Sequence, residues 1–424
     1  MLYPHQTAIK EFIEAHPRCL VISPMGAGKT RAVLSAITAN ALVVAPLRVA
    51  RMVWPDEAGA MSIDCRYYGS RDAATGSASN FYATNFENTQ LLRGIIPDGI
   101  DTLIIDESSK LKGFMFRQGT KRAKALYAIA SRCKRVVLLT GTPCSESLGD
   151  LYSQVSFIDG GRTFGRAKSR FMQRYHDNVS HSPKYPVWQP KPGAYDAVLA
   201  AVKDFAQYFE PTITTYGHVD NTIRIEPTPA QRSAIAALRK DKVIRTADTT
   251  VYACNAAVLA TRLLHLASGF SYTVTKDVVR HSTCKMDAVR DILDDNAGER
   301  FVIVANWTAT MDALTDSLQD ATRDITAFKE GRFKHLLINP ASAAHGLSLQ
   351  QQSHHMILVE PFYSGEQYAQ VLERIGERRQ AQSGLNRVVY YHYIECGPID
   401  AAAWRALREK TDVEEAVINI LKGV

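Results

Sequence analysis

Through roughly the first 150 residues, short apolar runs alternate with stretches of helical periodicity. Cys19–Ser23, Ala41–Pro46, Leu103–Asp106 and Val136–Thr140 each read as a buried strand bounded by turn residues. Strands separated in this way by helices predict a parallel sheet with crossover connections, an α/β fold. After Phe164 the rhythm breaks into a polar and aromatic stretch, Phe171 through Pro192, whose prolines forbid a long regular element, so it reads as an insertion. A second α/β unit then follows. It has a strand at Thr222–Glu226, helices over 229–241 and 252–266, and strands at Phe301–Ala305, His335–Asn339 and Met356–Glu360. Pro398 to Leu421 is alanine-rich, with charges at helical spacing, and predicts a closing helix. The expected segments are 1–150, 151–220, 221–395 and 396–424.

Composition narrows the picture only slightly. A chain of 424 residues suits two or three domains, and 46% hydrophobic content lets each pack a core. The net charge of +7 suits a polyanionic partner but is too small to identify one. Seven cysteines without a C-x-x-C pair argue against a zinc knuckle or a disulfide framework and fit a reducing cytoplasm. The start, Met1 to Gln6, lacks a basic segment followed by an apolar one, and no stretch reaches the length of a membrane span. The expectation is a soluble cytoplasmic protein.

The chemistry lies at the ends of two of the strands. Cys19–Ser23 runs into Pro24-Met25-Gly26-Ala27-Gly28-Lys29-Thr30 and then a helical pattern, the strand, glycine loop and helix that a phosphate-binding loop needs. There Gly26, Ala27 and Gly28 let backbone N–H groups face a phosphate, Lys29 meets the β- and γ-phosphates, and Thr30 holds Mg²⁺. Leu103–Asp106 ends in the pair Asp106-Glu107. Asp106 then serves Mg²⁺ through water, and Glu107 orients and deprotonates an attacking water. ATP and Mg²⁺ are the cofactors these residues imply.

In their order, these motifs resemble the Swi/Snf-type branch of superfamily II, in particular its compact phage and bacterial forms. The resemblance implies two RecA-like P-loop lobes of parallel sheet and flanking helices, with a helical insertion between them. It gives Gln6 of Pro4-His5-Gln6 the adenine base. It matches Val43 to Leu47, including Pro46, with Trp54 and Glu57, to a DNA-contacting motif Ia. Leu139-Thr140-Gly141-Thr142-Pro143 resembles motif III, which couples the ATP site to nucleic acid. Asn339 to Gln350, including Ser342 and Gly346, resembles motif V, and Gln370 to Gln380 resembles motif VI. Motif VI arginines supply positive charge to the γ-phosphate. Arg374 fits the first position, but the second is Glu377 with Arg378 beside it, so either the turn shifts by one residue or Arg374 and Arg378 share one helical face. Between Asp312 and Lys334 the family has a further strand and helix for which this chain leaves little room.

The implied activity is DNA-stimulated ATP hydrolysis with movement along DNA, expected to be duplex and bound without sequence preference, in the host cytoplasm if the chain is phage-encoded. The alternatives are an ATP-gated nucleic-acid-binding module with negligible turnover and an RNA-directed motor. Among weaker signals, Phe171, Tyr175, Tyr185 and Trp188 interleave with Arg170, Arg174, Lys184 and Lys191, as in a base-stacking surface or in a small aromatic core. His354-His355 precedes an apolar strand and has no carboxylate near it in sequence, which weighs against metal ligation. Cys144 has no histidine partner and reads as a small loop residue, and the segment around Trp404 as a packed helix with a wet face.

Overall fold

The computed structural model describes residues 2–422 apart from 39, 70–79, 90–98, 117–118, 145–146, 181–187, 242–255, 274, 344–346 and 363, with backbone alone at 239–241, 256–260, 343 and 410–422. The chain divides into two compact units, Met1–Thr212 with Lys410–Val424, and Ile213–Glu409. Each is built on one parallel sheet with flanking helices, the α/β class expected. None of the described helices is long and apolar enough to cross a membrane.

In the first unit the strands are β1 (Arg18–Ile22), β2 (Ala41–Ala45), β3 (Cys65–Tyr67), β4 (Phe81–Asn85), β5 (Thr102–Asp106) and β6 (Arg135–Thr140). A short antiparallel hairpin, β7 (His176–Asn178) with β8 (Trp188–Pro190), follows, and then β9 (Ala206–Tyr208). The sheet order is β3-β4-β2-β5-β6-β1-β9. The apolar runs become its interior because successive side chains serve opposite faces. Leu20, Ile22, Leu42, Val44, Leu103, Ile105, Val136 and Leu138 enter one core, while Cys19, Val21, Val43, Ile104, Val137 and Leu139 enter the other. Each such side chain contributes about 1.5–3 kcal/mol when fully buried.

β3, β4 and β9 lie outside the sequence expectation. β4 is disguised by polar residues that are buried with partners: Thr84 Oγ1 donates to the Tyr68 carbonyl at 2.7 Å, and Asn85 Oδ1 accepts from the Tyr67 hydroxyl at 3.0 Å. The insertion is short helices around the hairpin, Lys168–Tyr175 and Ala194–Val202. Phe171 and Tyr175 are buried beside Tyr152 and Phe164 in the first core, with Phe171 centroids 5.1 and 5.0 Å from those rings, so these two aromatics are core and not a stacking surface. Tyr185 and Lys184 lie outside the described residues.

The second unit contains β10 (His218–Ile225), a hairpin of β11 (Phe270–Tyr272) and β12 (Val278–Arg280), β13 (Phe301–Val304), β14 (Ala321–Thr322), β15 (His335–Ile338), β16 (His355–Leu358) and β17 (Val389–Cys396). Its parallel sheet has the order β10-β17-β16-β13-β15-β14. The expectation of little room between Asp312 and Lys334 is corrected here. The two-residue β14 and a one-turn helix, Ile325–Lys329, fit because Asp324 caps the helix through the Thr326 and Ala327 amides and Phe328 is fully buried. The last helix, Gly397–Lys422, buries Trp404 and Leu407 and leaves Arg405 exposed.

Candidate nucleotide site

At the carboxyl end of β1 the backbone turns through Gly26 (φ 72°) and Gly28 (φ 73°), left-handed conformations that glycine adopts without a Cβ penalty. Gly28 is doubly constrained, since a Cβ there would collide with the Gln6 side-chain amide. The helix Lys29–Ala36 begins at once, with no side-chain cap, and a helix start of this kind favours an anion. Lys29 Nζ donates to the carbonyls of Ser23 at 2.8 Å and Pro24 at 3.0 Å, folded over its own loop. Thr30 follows, half-buried.

The loop is held from behind by the first helix, Pro4–Ala15. Gln6 is buried; its Nε2 donates to the carbonyls of Gly28 at 3.3 Å and Ala27 at 3.4 Å, and its Oε1 accepts from the Tyr3 amide at 3.0 Å. His5, not singled out from sequence, is a second brace. The Thr212 amide donates to its Nδ1 at 3.2 Å, which leaves Nε2–H to donate to the Ala27 carbonyl at 2.9 Å.

The acidic pair reaches the loop with β6 lying between β1 and β5. Trp54 Nε1 donates to Asp106 Oδ2 at 2.9 Å. Burial pushes the Asp106 carboxyl up, and the Trp54 hydrogen bond and the Lys29 charge oppose that shift. Glu107 sits at φ 66°, ψ 60°, a left-handed conformation that costs a non-glycine residue about 1–3 kcal/mol. Its Oε1 accepts from Ser109 Oγ at 3.0 Å and from Thr140 Oγ1 at 3.4 Å, so the end of β6 touches the acid directly. Thr140 also accepts from the Thr142 amide at 3.0 Å, and a Cβ on Gly141 would stand 3.2 Å from Met25 Cγ in the glycine loop. Thr142 Oγ1 is buried without a hydrogen-bond partner among the described residues.

A further residue that sequence reasoning missed joins these parts. Gln154 is fully buried; its Nε2 donates to the Pro143 carbonyl at 2.7 Å and its Oε1 accepts from Ser108 Oγ at 2.7 Å. One glutamine inside an apolar helix carries no motif that could have revealed it. Pro46 is buried after β2, with Leu47 exposed beside it.

In the second unit, motifs V and VI are tied to each other. Arg374 is buried; its Nε donates to the Gln370 carbonyl at 2.8 Å and a terminal nitrogen to the Leu347 carbonyl at 3.0 Å, while the Leu349 amide returns a bond to the Arg374 carbonyl. Gln370 is buried and donates to Glu366 Oε1 at 3.1 Å. Ser342 is exposed, and Gly346 lies outside the described residues. The helix Gly365–Leu372 stops before Arg374, and a new one, Glu377–Gln382, starts after Gly376. Arg374 and Arg378 therefore do not share one helical face, which corrects that alternative. The break is local in origin: Gly376 is packed so closely on Glu373 that a Cβ would lie 2.8 Å from its Oε2. Arg378 is half-buried on the second of the two helices.

No family model matches the chain. It is 30% identical to protein p41 of Acyrthosiphon pisum secondary endosymbiont phage 1, over 458 residues that cover 99% of this chain and 98% of that protein. The chain belongs to the family of this phage protein. A member of this family thus also shows the Swi/Snf likeness read from its motifs: it is 24% identical over 322 residues to the SWI/SNF-related matrix-associated actin-dependent regulator of chromatin subfamily A-like protein 1 of Xenopus tropicalis, covering 71% of this chain and 31% of that protein. Among solved structures, the Sulfolobus solfataricus SWI2/SNF2 ATPase core in complex with double-stranded DNA is matched at 15% identity with a TM-score of 0.44, over 100% of this chain and 95% of that one.

Proposed function

We propose that the chain is a DNA-stimulated ATPase that moves along duplex DNA. The observation that carries this reading is the meeting of the glycine loop, Asp106-Glu107 and Thr140 at adjoining strand ends, with Glu107 hydrogen-bonded to Thr140. The residues fit a nucleoside triphosphate with Mg²⁺: a loop that tolerates no Cβ at Gly28, a lysine folded over that loop onto the Ser23 and Pro24 carbonyls, and a hydroxyl and carboxylates beside it. ATP supplies the phosphoanhydride to be cleaved. Lys29 and the loop amides, with Gly26, Ala27 and Gly28, would hold its phosphates, and Thr30 and Asp106 would hold Mg²⁺. Glu107 would orient water and take its proton. Gln6 would read the base from a position where it already fixes the loop.

Of the motif VI arginines, Arg378 is the better candidate for the transition-state charge, because Arg374 is already engaged inside its own unit. Thr140, Gly141 and Thr142 would report nucleic acid to Glu107, with Ser342 and Gly346 as direct contacts and the buried Pro46 and Gln370 as positioning residues. The segments 1–150, 151–220, 221–395 and 396–424 would serve as the first lobe, insertion, second lobe and closing helix. Duplex DNA as the track rests on the resemblance of the motifs to the Swi/Snf-type branch, and contacts to its phosphates would make binding salt-dependent and indifferent to sequence.

The deciding experiment is steady-state phosphate release with ATP and Mg²⁺, alone and with duplex DNA, single-stranded DNA or RNA. Strong stimulation by duplex DNA is expected. A rate near zero with every polymer would refute the motor, and preferential stimulation by RNA would redirect it. Triplex displacement without strand release then separates translocation from unwinding.

A further inference from the structure

His354-His355 looks unpromising in the sequence because no carboxylate is near it. The fold supplies one. β13 pairs in parallel with β16, with Phe301 opposite His355, and this brings the approach to β13, carrying Glu299, alongside the two histidines. Glu299 Oε2 lies 3.8 Å from His354 Nε2, and one donor atom from each of Glu299, His354 and His355 falls within 4.8 Å of the others. Among the described residues this is the one group of three such donors so placed.

His355 is held as a ligand would be. Its ring stacks on Tyr390 with centroids 4.7 Å apart and planes 12° from parallel, and its Nδ1 is hydrogen-bonded to His392 Nε2 at 3.3 Å. An outer hydrogen bond of this kind fixes the ring and leaves the other nitrogen for a metal. The side chains of His354 and Glu299 are 17% and 45% exposed, so an ion can reach them.

We propose that Glu299, His354 and His355 form a binding site for a borderline divalent cation of the zinc type. Two imidazoles and one carboxylate suit zinc and its neighbours, and they select against Mg²⁺ and Ca²⁺, which take oxygen ligands. Ligands around tetrahedral zinc stand about 3.4 Å apart, so side-chain rotations of about an ångström close the site and leave its fourth position to water. Arg387, fastened to Gln380 Oε1 and the Gln350 carbonyl, is close enough for its charge to act on His354 and Glu299, which lowers the affinity below that of a closed four-ligand site. The site lies at the amino-terminal ends of β13 and β16, whereas ligand chemistry in open parallel sheets belongs to the carboxyl ends. The bound ion therefore pins the edge of the second unit and takes no part in a reaction.

The test uses the full-length chain, free of any affinity tag and stripped with a chelator, dialysed against zinc chloride in excess Mg²⁺. One zinc per chain and a raised melting temperature are expected. Glu299→Gln and His354→Gln, both at accessible positions, should each weaken zinc binding by about tenfold to a hundredfold or more while melting like the parent without zinc. Absence of zinc binding by the parent overturns the proposal. So does zinc retained undiminished by both variants, which would assign it to the cysteines.

Discussion

At the end of β5 and just beyond β16, carboxylates sit in quite different company. Asp106 and Glu107 accept hydrogen bonds from Trp54, Ser109 and Thr140, Glu107 is held in a strained conformation, and the neighbouring Thr142 hydroxyl is buried without a partner among the described residues. Glu360 accepts from the amides of Asn306 and Trp307 at 2.9 and 3.1 Å and from the Thr310 hydroxyl. Beside it Lys285 Nζ lies 2.5 Å from Asp400 Oδ2 and donates to the Val359 carbonyl at 3.1 Å, with Lys285, Glu360 and Asp400 all essentially inaccessible. In the second unit the charges are paired in a closed cluster, although Asp400 Oδ1 is buried there without a hydrogen-bond partner among the described residues. In the first, Glu107 keeps a strained backbone, which is how a site prepared for a ligand differs from an internal brace. The contrast implies that removing a charge from the brace costs stability, whereas removing one from the first unit's site costs activity.

The largest effect is expected at the brace. Lys285→Met would leave Asp400 buried without its cation and should cost about 3–5 kcal/mol, read as an earlier urea midpoint of the second unit's unfolding. The double variant Lys285→Met with Asp400→Leu should recover much of this, because no orphan charge remains. If the single variant unfolds with the parent, the charges do not brace the unit.

Lys29→Ala is the counterpart. Removing one preorganised cation from the phosphates should lower ATP turnover by about a hundredfold to a thousandfold, roughly 3–4 kcal/mol of barrier, with the unfolding midpoint unchanged. Its hydrogen bonds to Ser23 and Pro24 are only half-buried, so water can take the place of the ammonium. Retained turnover would remove the nucleotide site from this loop.

Trp54→Phe probes a smaller term. It keeps the buried ring but deletes the donor to Asp106 Oδ2. A hydrogen bond to a charged group contributes about 1.5–3 kcal/mol, so the Mg²⁺ concentration for half-maximal ATPase should rise by at least about tenfold. An unchanged Mg²⁺ requirement would mean that the indole packs there without orienting the carboxylate.

These pairings also show how far the sequence could be read. The strands β1, β2, β5, β6, β13, β15 and β16 were legible because both their faces are covered and so each carries a central apolar run, and the glycine loop and acidic pair were legible because they stand at the ends of such strands. β4 and β17 were not, since Thr84, Asn85, His392 and Glu395 interrupt the pattern and are accommodated by partners distant in sequence. His5, Gln154 and the Lys285–Asp400 pair were hidden for the same reason. A polar residue kept in the interior by a partner more than a hundred residues away, as Asp400 is by Lys285, leaves no periodic trace. Glu299 escaped likewise, because only the register of β13 against β16 brings it to His354.

The smallest effect separates permanent burial from a site that opens to ligands. His335 is buried in the second unit; burial holds its ring down to about 4, and the Phe301 amide donates to its Nδ1 at 3.3 Å, which requires the neutral ring. In the unfolded chain a histidine titrates near 6.5. As pH falls below about 6.5 the unfolded state takes up the proton first, so the stability present above that pH is lost progressively until the folded ring itself protonates near 4. At pH 5 the loss from this one group amounts to about 2 kcal/mol. His335→Gln removes the titration, so between pH 7 and pH 5 its unfolding free energy, read from urea titrations, should fall by about 2 kcal/mol less than the parent's. Equal falls in the two proteins would mean that His335 is accessible to protons in the folded state, and the second unit would then be no more closed than the first.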